Sequence, residues 1–309
     1  MKHTDKIAIL MAAYNGEKYI SSQIDSILKQ TLDDWILYIH DDGSNDKTVD
    51  IIDMYSARYP DKIIKISGKP TGGPKENFLY LMENVGAPYL MFSDQDDIWL
   101  KDKVEKTYRV MKEIENGKDT LPVLVFSELR VVDEDENVIA EKMSDFQQLD
   151  MNADDTLHLL MQNITTGCTM MINRKLKNKA LEVKDPYHMI MHDWWIALCA
   201  SHFGKMVFIE EPLTLYRQHV TNNVGAKNPY NPSYIVKKIF SGNETKKVFE
   251  QTRAQARLFK ETYRLSNQSL IGQYGNLSFH TKAARWAFYT KYKMWRKSLP
   301  RKLTMLIYG

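Results

Sequence analysis

Short apolar runs alternate with amphipathic stripes through the first hundred residues, and that alternation admits few folds. Ile7-Ala8-Ile9-Leu10-Met11 reads as a strand buried on both faces. After Tyr14-Asn15-Gly16, the residues Ile20, Ile24, Ile27 and Leu28 fall on one helical stripe. Trp35 to Ile39 is a second strand, ended by the turn-forming Asp41-Asp42-Gly43-Ser44. Helical spacing resumes at Val49, a third strand is expected over Ile63–Ile66, and Phe78, Leu81 and Met82 mark another helix. A fourth strand, Tyr89–Phe92, runs into Ser93-Asp94-Gln95-Asp96-Asp97. This order implies an α/β chain with a mixed, mostly parallel sheet and right-handed crossovers. Ligands of such sheets bind beyond the carboxyl ends of the strands, so the polar clusters after strands one, two and four share one rim.

Beyond residue 120 the sequence predicts strands at Val123–Ser127, Arg130–Val132, Val138–Ile139, Cys168–Ile172 and Met206–Ile209. Helices are expected at Thr156–Met161 and in His192–Ala200, and a hinge at 225–235, where Pro229, Asn231 and Pro232 fall. The 309 residues, 43% hydrophobic and 26% charged, suit a globular protein with a substantial core. No apolar run approaches the roughly 18 residues of a membrane span, and the first sixteen residues lack a signal-peptide core. Two cysteines, Cys168 and Cys199, without metal-ligand spacing point to a reducing cytoplasm. There is no GxGxxG after the first strand and no GxxxxGK[ST], which disfavours a dinucleotide-binding dehydrogenase and a P-loop NTPase.

Carboxylates alternating along Asp94-Gln95-Asp96-Asp97 suit one hard cation, Mn2+ or Mg2+, with phosphate oxygens completing its shell. The plainer alternative is a turn capping a helix that begins near Lys101. Asp41 and Asp42 carry a similar pair of readings, an Asx turn or a carboxylate that accepts hydrogen bonds from a nucleobase. His188 and His192 are spaced i, i+4, but no Glu follows His188 as a zinc hydrolase would have.

The stretch AILMAAYNGEKYISSQIDSILKQTLDDWILYIHDDGSNDKT, followed in order by GGPKENF, FSDQDDIW, TTGCTMMINR, MHDWW and LYRQH, resembles the inverting family-2 glycosyltransferases of the GT-A fold. Within them it looks most like the bacterial rhamnosyltransferase branch of cell-surface polysaccharide synthesis. The resemblance covers roughly residues 5–220. It implies that Ala13, Tyr14 and Asn15 line the nucleoside, that Asp42 binds the pyrimidine N3–H with Asp41 adjacent, and that Asp94 and Asp96 form the acidic motif. Asp96 is the expected direct metal ligand, with Asp97 behind it. Lys75 in GGPKENF is either a phosphate contact or a solvated lysine. Asp193 matches the general base that takes the acceptor hydroxyl's proton, unless it merely caps its helix. Flanking tryptophans are expected to desolvate it and raise its pKa. His192 stands where the family usually has an acid, and either assists that transfer or is only a neighbour. His219 falls where related enzymes use a His near the metal or diphosphate, with a core or loop histidine as the alternative.

The expected reaction is metal-dependent inverting transfer from a nucleoside-diphosphate sugar, dTDP-L-rhamnose before UDP-glucose or UDP-galactose, to a lipid-linked saccharide. A sugar-nucleotide nucleotidyltransferase and a non-catalytic scaffold are the rivals. The first would need a Gly/Arg/Lys-rich triphosphate loop, where Met11–Lys18 offers only Gly16 and Lys18.

The extent of the resemblance and the hinge, supported by the charge, imply an expected catalytic domain, 1–225 (nucleotide-sugar half 1–120, acceptor half 121–225), and a basic helical region, 226–309. Nine of the 42 Lys and Arg and none of the 39 acids lie in 262–309, so the preceding 261 residues carry a net charge of −6. A helix over 284–299 would align Ala284, Phe288, Tyr292, Trp295 and Leu299 between basic margins, the pattern of an interfacial membrane helix. Packing on the catalytic domain or a homo-oligomer contact is the alternative, and nucleic acid is not an expected partner. The implied place is the cytoplasmic face of the cell membrane.

Overall fold

The computed structural model describes residues 2–3, 6–116, 121–219, 242–296 and 299–309. Two compact units are distinguished. One comprises Met1–Met143, Thr165–Leu181 and Met191–Gly225; the other comprises Ser144–Ile164, Glu182–Ile190 and Ala226–Gly309. The second unit therefore takes in two segments of the expected 121–225 half. The expected hinge at 225–235 lies outside the described residues.

In the first unit, β1 (Lys2–His3) pairs with β5 (Val85–Gly86), and a larger sheet runs β4-β3-β2-β6-β10-β8-β11-β7, with β9 on β8. Its parallel half is β2 (Ile7–Ala13), β3 (Trp35–Asp41), β4 (Ile63–Lys65) and β6 (Tyr89–Asp94). The other half contains β7 (Ile98–Trp99), β8 (Val123–Val132), β9 (Val138–Ala140), β10 (Met170–Asn173) and β11 (Lys205–Arg217). Helices cover both faces, which is why the parallel strands read as unbroken apolar runs. On one face Ile7, Ile9 and Met11 pack with α1 (Ile20–Leu28), α2 (Thr48–Arg58) and α4 (Lys103–Glu115) through Ile24, Ile52 and Met111. Phe78 of α3 (Pro74–Asn84) meets Phe92 and, in α8 (His192–Phe203), His192.

Three expectations change. The two strands expected at 123–127 and 130–132 are one, because Glu128 is buried and accepts the amides of Leu129 and Met143 at 2.9 and 3.0 Å. The strand expected over 206–209 continues to Arg217, shifting register around Pro212 where the ladder loses a donor. Cys168 belongs to a 3-10 turn, Gly167–Thr169, ahead of β10.

The second unit is helical. The long α9 (Gly242–Thr262) packs with α6 (Thr156–Met161), α10 (Leu270–Asn276) and α12 (Leu299–Tyr308) through buried Phe249, Ala256, Phe259, Tyr274 and Met305. A helix unbroken over 284–299 does not form. The segment divides into α11 (Lys282–Lys291) and α12, with Lys293 between them at φ 53°. Phe288 and Tyr289 are buried within this unit, the Tyr289 hydroxyl accepting from Arg253 at 2.9 Å.

Candidate active site

Register brings the polar clusters together. Ala13 pairs with Asp41 across β2–β3, and Ala12 with Asp94 across β2–β6, so Tyr14, Asp42 and Gln95 leave the sheet side by side. The two nearest loops are laced to each other. The Asn15 amide donates to Ser44 Oγ and the Asn45 amide to Asn15 Oδ1, each at 2.8 Å. The Gly16 amide donates to Thr48 Oγ1 at 2.7 Å, and Asp42's own amide donates to the Ala13 carbonyl at 2.8 Å. Within this frame the ring of Tyr14 stands 53% exposed.

Asp41 and Asp42 separate in role. The Asp41 carboxylate accepts the amides of Gly43 and Ser44 at 3.0 and 2.9 Å, an Asx turn that shapes the loop; Gly43 has φ 89°, which glycine adopts without strain. Asp42 turns the other way. Its Oδ1 accepts from Thr71 N, from Thr71 Oγ1 at 2.8 Å and from Gly72 N at 3.1 Å, so the segment before α3 fixes its side chain at the rim. Lys75, in the first turn of α3, is 15% exposed and ion-paired with Glu76 at 3.0 Å.

The acidic segment does not cap α4. The two residues of β7 intervene, and Asp102 holds the N-cap position without a side-chain bond. Asp94 and Asp96 are half-buried and Asp97 is fully buried. Desolvation raises the pKa of Asp94 well above the carboxylate range, reinforced by the charges of Asp97, Asp96 and Asp193. Burial and Asp96 raise Asp97 likewise. Asp96 Oδ2 lies 2.8 Å from His219 Nε2, and the His219 ring sits on Tyr19 with centroids 4.8 Å apart.

Asp94, Asp97 and Cys168 are grouped so that one ligand atom of each falls within 4.8 Å of the others. The Cys168 thiol is pushed well above its ordinary pKa by burial and by Asp97, and a protonated sulfur does not suit a hard cation. The carboxylates do. The crowding by Asp97, Asp96 and Asp193 that raises Asp94 is what a divalent cation at the rim would relieve.

Asp193 sits in the first turn of α8, where the N-cap is Met191, and its Oδ1 accepts the Trp194 amide at 2.6 Å. Its charge reaches Asp94. Trp195, two residues on and so across the helix, is fully buried with its Nε1 donating to the Ala180 carbonyl at 3.0 Å. His192 is buried between Phe78 and Phe92, both ring nitrogens lack partners among the described residues, and burial pushes its pKa down from 6.5 to about 3. His188 ends a 3-10 turn at Pro186–His188, so it and His192 do not share a helix.

Sequence reasoning missed three residues. Lys103 is fully buried, donating from Nζ to the Cys168 carbonyl and to Thr214 Oγ1 at 2.6 Å. Burial lowers its pKa, while Asp97 and Asp94 oppose that shift through space. Arg217, 3% exposed, fastens the acidic turn: Nε donates to the Asp96 carbonyl at 3.1 Å and Nη1 to the Glu134 carbonyl at 2.7 Å. Its backbone amide donates to Asp97 Oδ1 at 3.3 Å. Gln95 ties Tyr14 through both backbone groups. Arg217 lies within the LYRQH motif, a signal that could have drawn attention to it; a lysine opening a helix and a glutamine between two aspartates carry none.

The profile of glycosyl transferase family 2 matches residues 8–175. The chain is 32% identical over 237 residues to the dTDP-rhamnosyl transferase RfbG of Shigella flexneri, covering 72% of this chain and 76% of RfbG. It is 27% identical over 226 residues to an uncharacterized glycosyltransferase of Nostoc, covering 71% of this chain and 66% of that protein. In fold it resembles S. aureus TarS 1–349, solved with UDP-GlcNAc, at TM-score 0.52 and 13% identity, covering 93% of this chain and 79% of that one. It also resembles the Pyrobaculum calidifontis mannosyltransferase PcManGT, solved with GDP-Man and Mn2+, at TM-score 0.52 and 14% identity, covering 97% and 83%. A profile match over more than half its length, together with a relative at 32% identity, means that the chain belongs to glycosyl transferase family 2.

Proposed function

We propose that this glycosyltransferase moves L-rhamnose from dTDP-L-rhamnose to a hydroxyl of a lipid-linked saccharide, inverting the anomeric configuration, in cell-surface polysaccharide synthesis. The observation that carries the reaction class is the convergence of Asp94, Asp96 and Asp97 with Asp193, whose charge acts on Asp94. The choice of rhamnose is supported by the likeness to RfbG. UDP-glucose and UDP-galactose are the alternative donors.

In this reading Asp42 receives the pyrimidine N3–H, and Tyr14 offers its exposed ring to the base. Ala13 and Asn15 line the nucleoside through their backbones, with Asp41 shaping the loop beside them. Asp94 and Asp96 are the residues that would hold Mn2+ or Mg2+, because they remain reachable from the rim while Asp97 does not. When bound, the cation neutralises charge on the leaving diphosphate. His219 orients Asp96, and Lys75 is a phosphate contact once released from Glu76. Asp193 takes the proton of the acceptor hydroxyl as that oxygen attacks the anomeric carbon from the face opposite the diphosphate. Its hydrogen bond from Trp194 N fixes the direction of the carboxylate. No enzyme nucleophile is required, so the configuration inverts.

The acceptor's lipid calls for a place at the cytoplasmic face of the membrane. No helix among the described residues is long and apolar enough to cross one. Surface association is supported instead by α12, where Leu303, Leu306 and Ile307 are 39%, 39% and 42% exposed one helical turn apart.

The decisive experiment is calorimetric titration of dTDP and UDP, each with and without Mn2+, followed by a hydrolysis screen of dTDP-rhamnose, UDP-glucose and UDP-galactose. Metal-dependent binding with preferential cleavage of dTDP-rhamnose is expected. Preference for a UDP-sugar would overturn the rhamnose assignment, and a folded protein that binds neither nucleotide would overturn the site.

A further inference from the structure

The pairing of β2 with β6 does not stop where the strands end. Its last rung matches Ala12 with Asp94, and the side chain of Gln95 supplies the next one. The Tyr14 amide donates to Gln95 Oε1 and Gln95 Nε2 donates to the Tyr14 carbonyl, both at 2.8 Å. A carboxamide presents one acceptor and one donor at the spacing of a peptide group, so it can replace a ladder partner. The following residue, Asn15, adopts φ 47°, a left-handed conformation that asparagine tolerates, and its amide and Oδ1 are both bonded to the neighbouring loop.

Gly16 has a reason to lack a side chain. A Cβ built there would fall 2.2 Å from Gln95 Oε1 and 2.4 Å from its Cδ. Its φ is not in the left-handed region, so the backbone itself admits alanine and only the position of Gln95 does not. The glycine makes room for the glutamine.

We infer that Gln95 is a positioning residue for nucleoside-diphosphate binding, holding the Tyr14 peptide so that the exposed ring is a fixed stacking face, and that Gly16 exists to admit it. This rests on the glycosyl-transfer reading. A fixed ring loses less freedom when a base stacks on it, so affinity comes from order already present. Because Gln95 lies between Asp94 and Asp96, the tie also sets the nucleoside loop against the carboxylates.

Two substitutions reach the same tie from opposite ends. Gln95→Met keeps the reach of the side chain and removes both hydrogen bonds, whereas Gly16→Ala keeps the glutamine and displaces it. Each should weaken UDP and dTDP binding about tenfold, the loss of one or two hydrogen bonds' net contribution. Donor KM should rise while kcat at saturating donor stays near wild type. The double variant should be no weaker than either single one, because the second change has nothing left to break. Exchange of the Tyr14 amide should accelerate in both single variants.

Folded variants that bind nucleotide as tightly as a wild-type chain that does bind it would overturn this inference alone. So would full additivity in the double variant. A wild-type chain that binds no nucleotide would overturn the functional reading and this inference with it.

Discussion

Nε2 of His219 lies 2.8 Å from Oδ2 of Asp96, joining the exit of β11 to the turn after β6; the two side chains are 6% and 18% exposed. Asp96 is thereby aimed before any ligand arrives. With Asp96 as cation ligand, Asp96→Ala is expected to abolish Mn2+-dependent donor cleavage in a protein that stays folded. His219→Ala should raise the half-saturating Mn2+ concentration by about 10- to 100-fold, as loss of a ligand's own hydrogen-bond partner does. Both effects are read from hydrolysis rates across a Mn2+ titration, with circular dichroism as the check on folding. Unchanged Mn2+ dependence in the His219 variant would reduce the pair to a loop fastening.

Asp193 is not the cap of α8, since Met191 occupies that position. Asp193→Asn preserves the shape of the side chain and removes its basicity. The expected loss in kcat is roughly 100- to 10,000-fold, the usual contribution of a general base. Nucleotide affinity measured by calorimetry should not change. Transfer at the wild-type rate would leave Asp193 a first-turn residue and nothing more.

Much of this arrangement was legible in the chain before its structure. Strands buried on both faces announce themselves as apolar runs, and the parallel order alone puts Asn15, Asp42 and Asp94 on one rim. Legibility failed where a polar residue is satisfied internally. Glu128 looked like a break in β8 because its two amide donors are invisible in one dimension. Lys103 looked like any helix-opening lysine, and its burial follows from Cys168 and Thr214, distant by 65 and 111 residues. Gln95 read as a spacer because its partner is a backbone rather than a side chain. The tail misled through periodicity, since the stripe over 284–299 is real in sequence but is interrupted at Lys293.

Lys103 is the buried cation acting on Asp94 and Asp97, and its removal should show what it balances. Lys103→Met is expected to cost about 1–3 kcal/mol of stability, because it leaves the Cys168 carbonyl and Thr214 Oγ1 without their buried donor and removes a positive charge that acts on Asp97 and Asp94. Adding Asp97→Asn should recover part of that loss, giving a coupling of about 0.5–3 kcal/mol between the two positions. Urea midpoints of the four proteins in this cycle provide the measurement. Simple additivity would mean that Lys103 matters through its bonds to Cys168 and Thr214 rather than through its charge.

The exposed apolar edge of α12 tests the membrane proposal. Lys302 is exposed on the same helix, and Lys282, Lys291 and Lys293 are exposed nearby in the sequence of the same unit. Each basic residue near an anionic leaflet adds about 1 kcal/mol. Changing Leu303, Leu306 and Ile307 together to Ser should abolish cosedimentation with vesicles rich in anionic lipid while leaving donor cleavage intact. If the change instead halves the molecular mass in solution and leaves vesicle binding untouched, the edge is a contact between subunits.

His192 makes a prediction about acid stability that is independent of catalysis. Its folded pKa is pushed from 6.5 down to about 3 by burial between Phe78 and Phe92, so the folded chain refuses a proton that the unfolded chain accepts. Stability supplied by the neutral ring is therefore fully present above pH 6.5 and falls with pH toward 3. At pH 5 the loss from this one group is about 2 kcal/mol. His192→Phe keeps an aromatic ring in the same slot and removes the titration. The difference in unfolding free energy between variant and wild type should then grow in the variant's favour by that amount from pH 7 to pH 5. A difference that does not move with pH would mean that the ring takes up its proton in the folded state, and a loss of activity in the variant would restore His192 to the proton transfer.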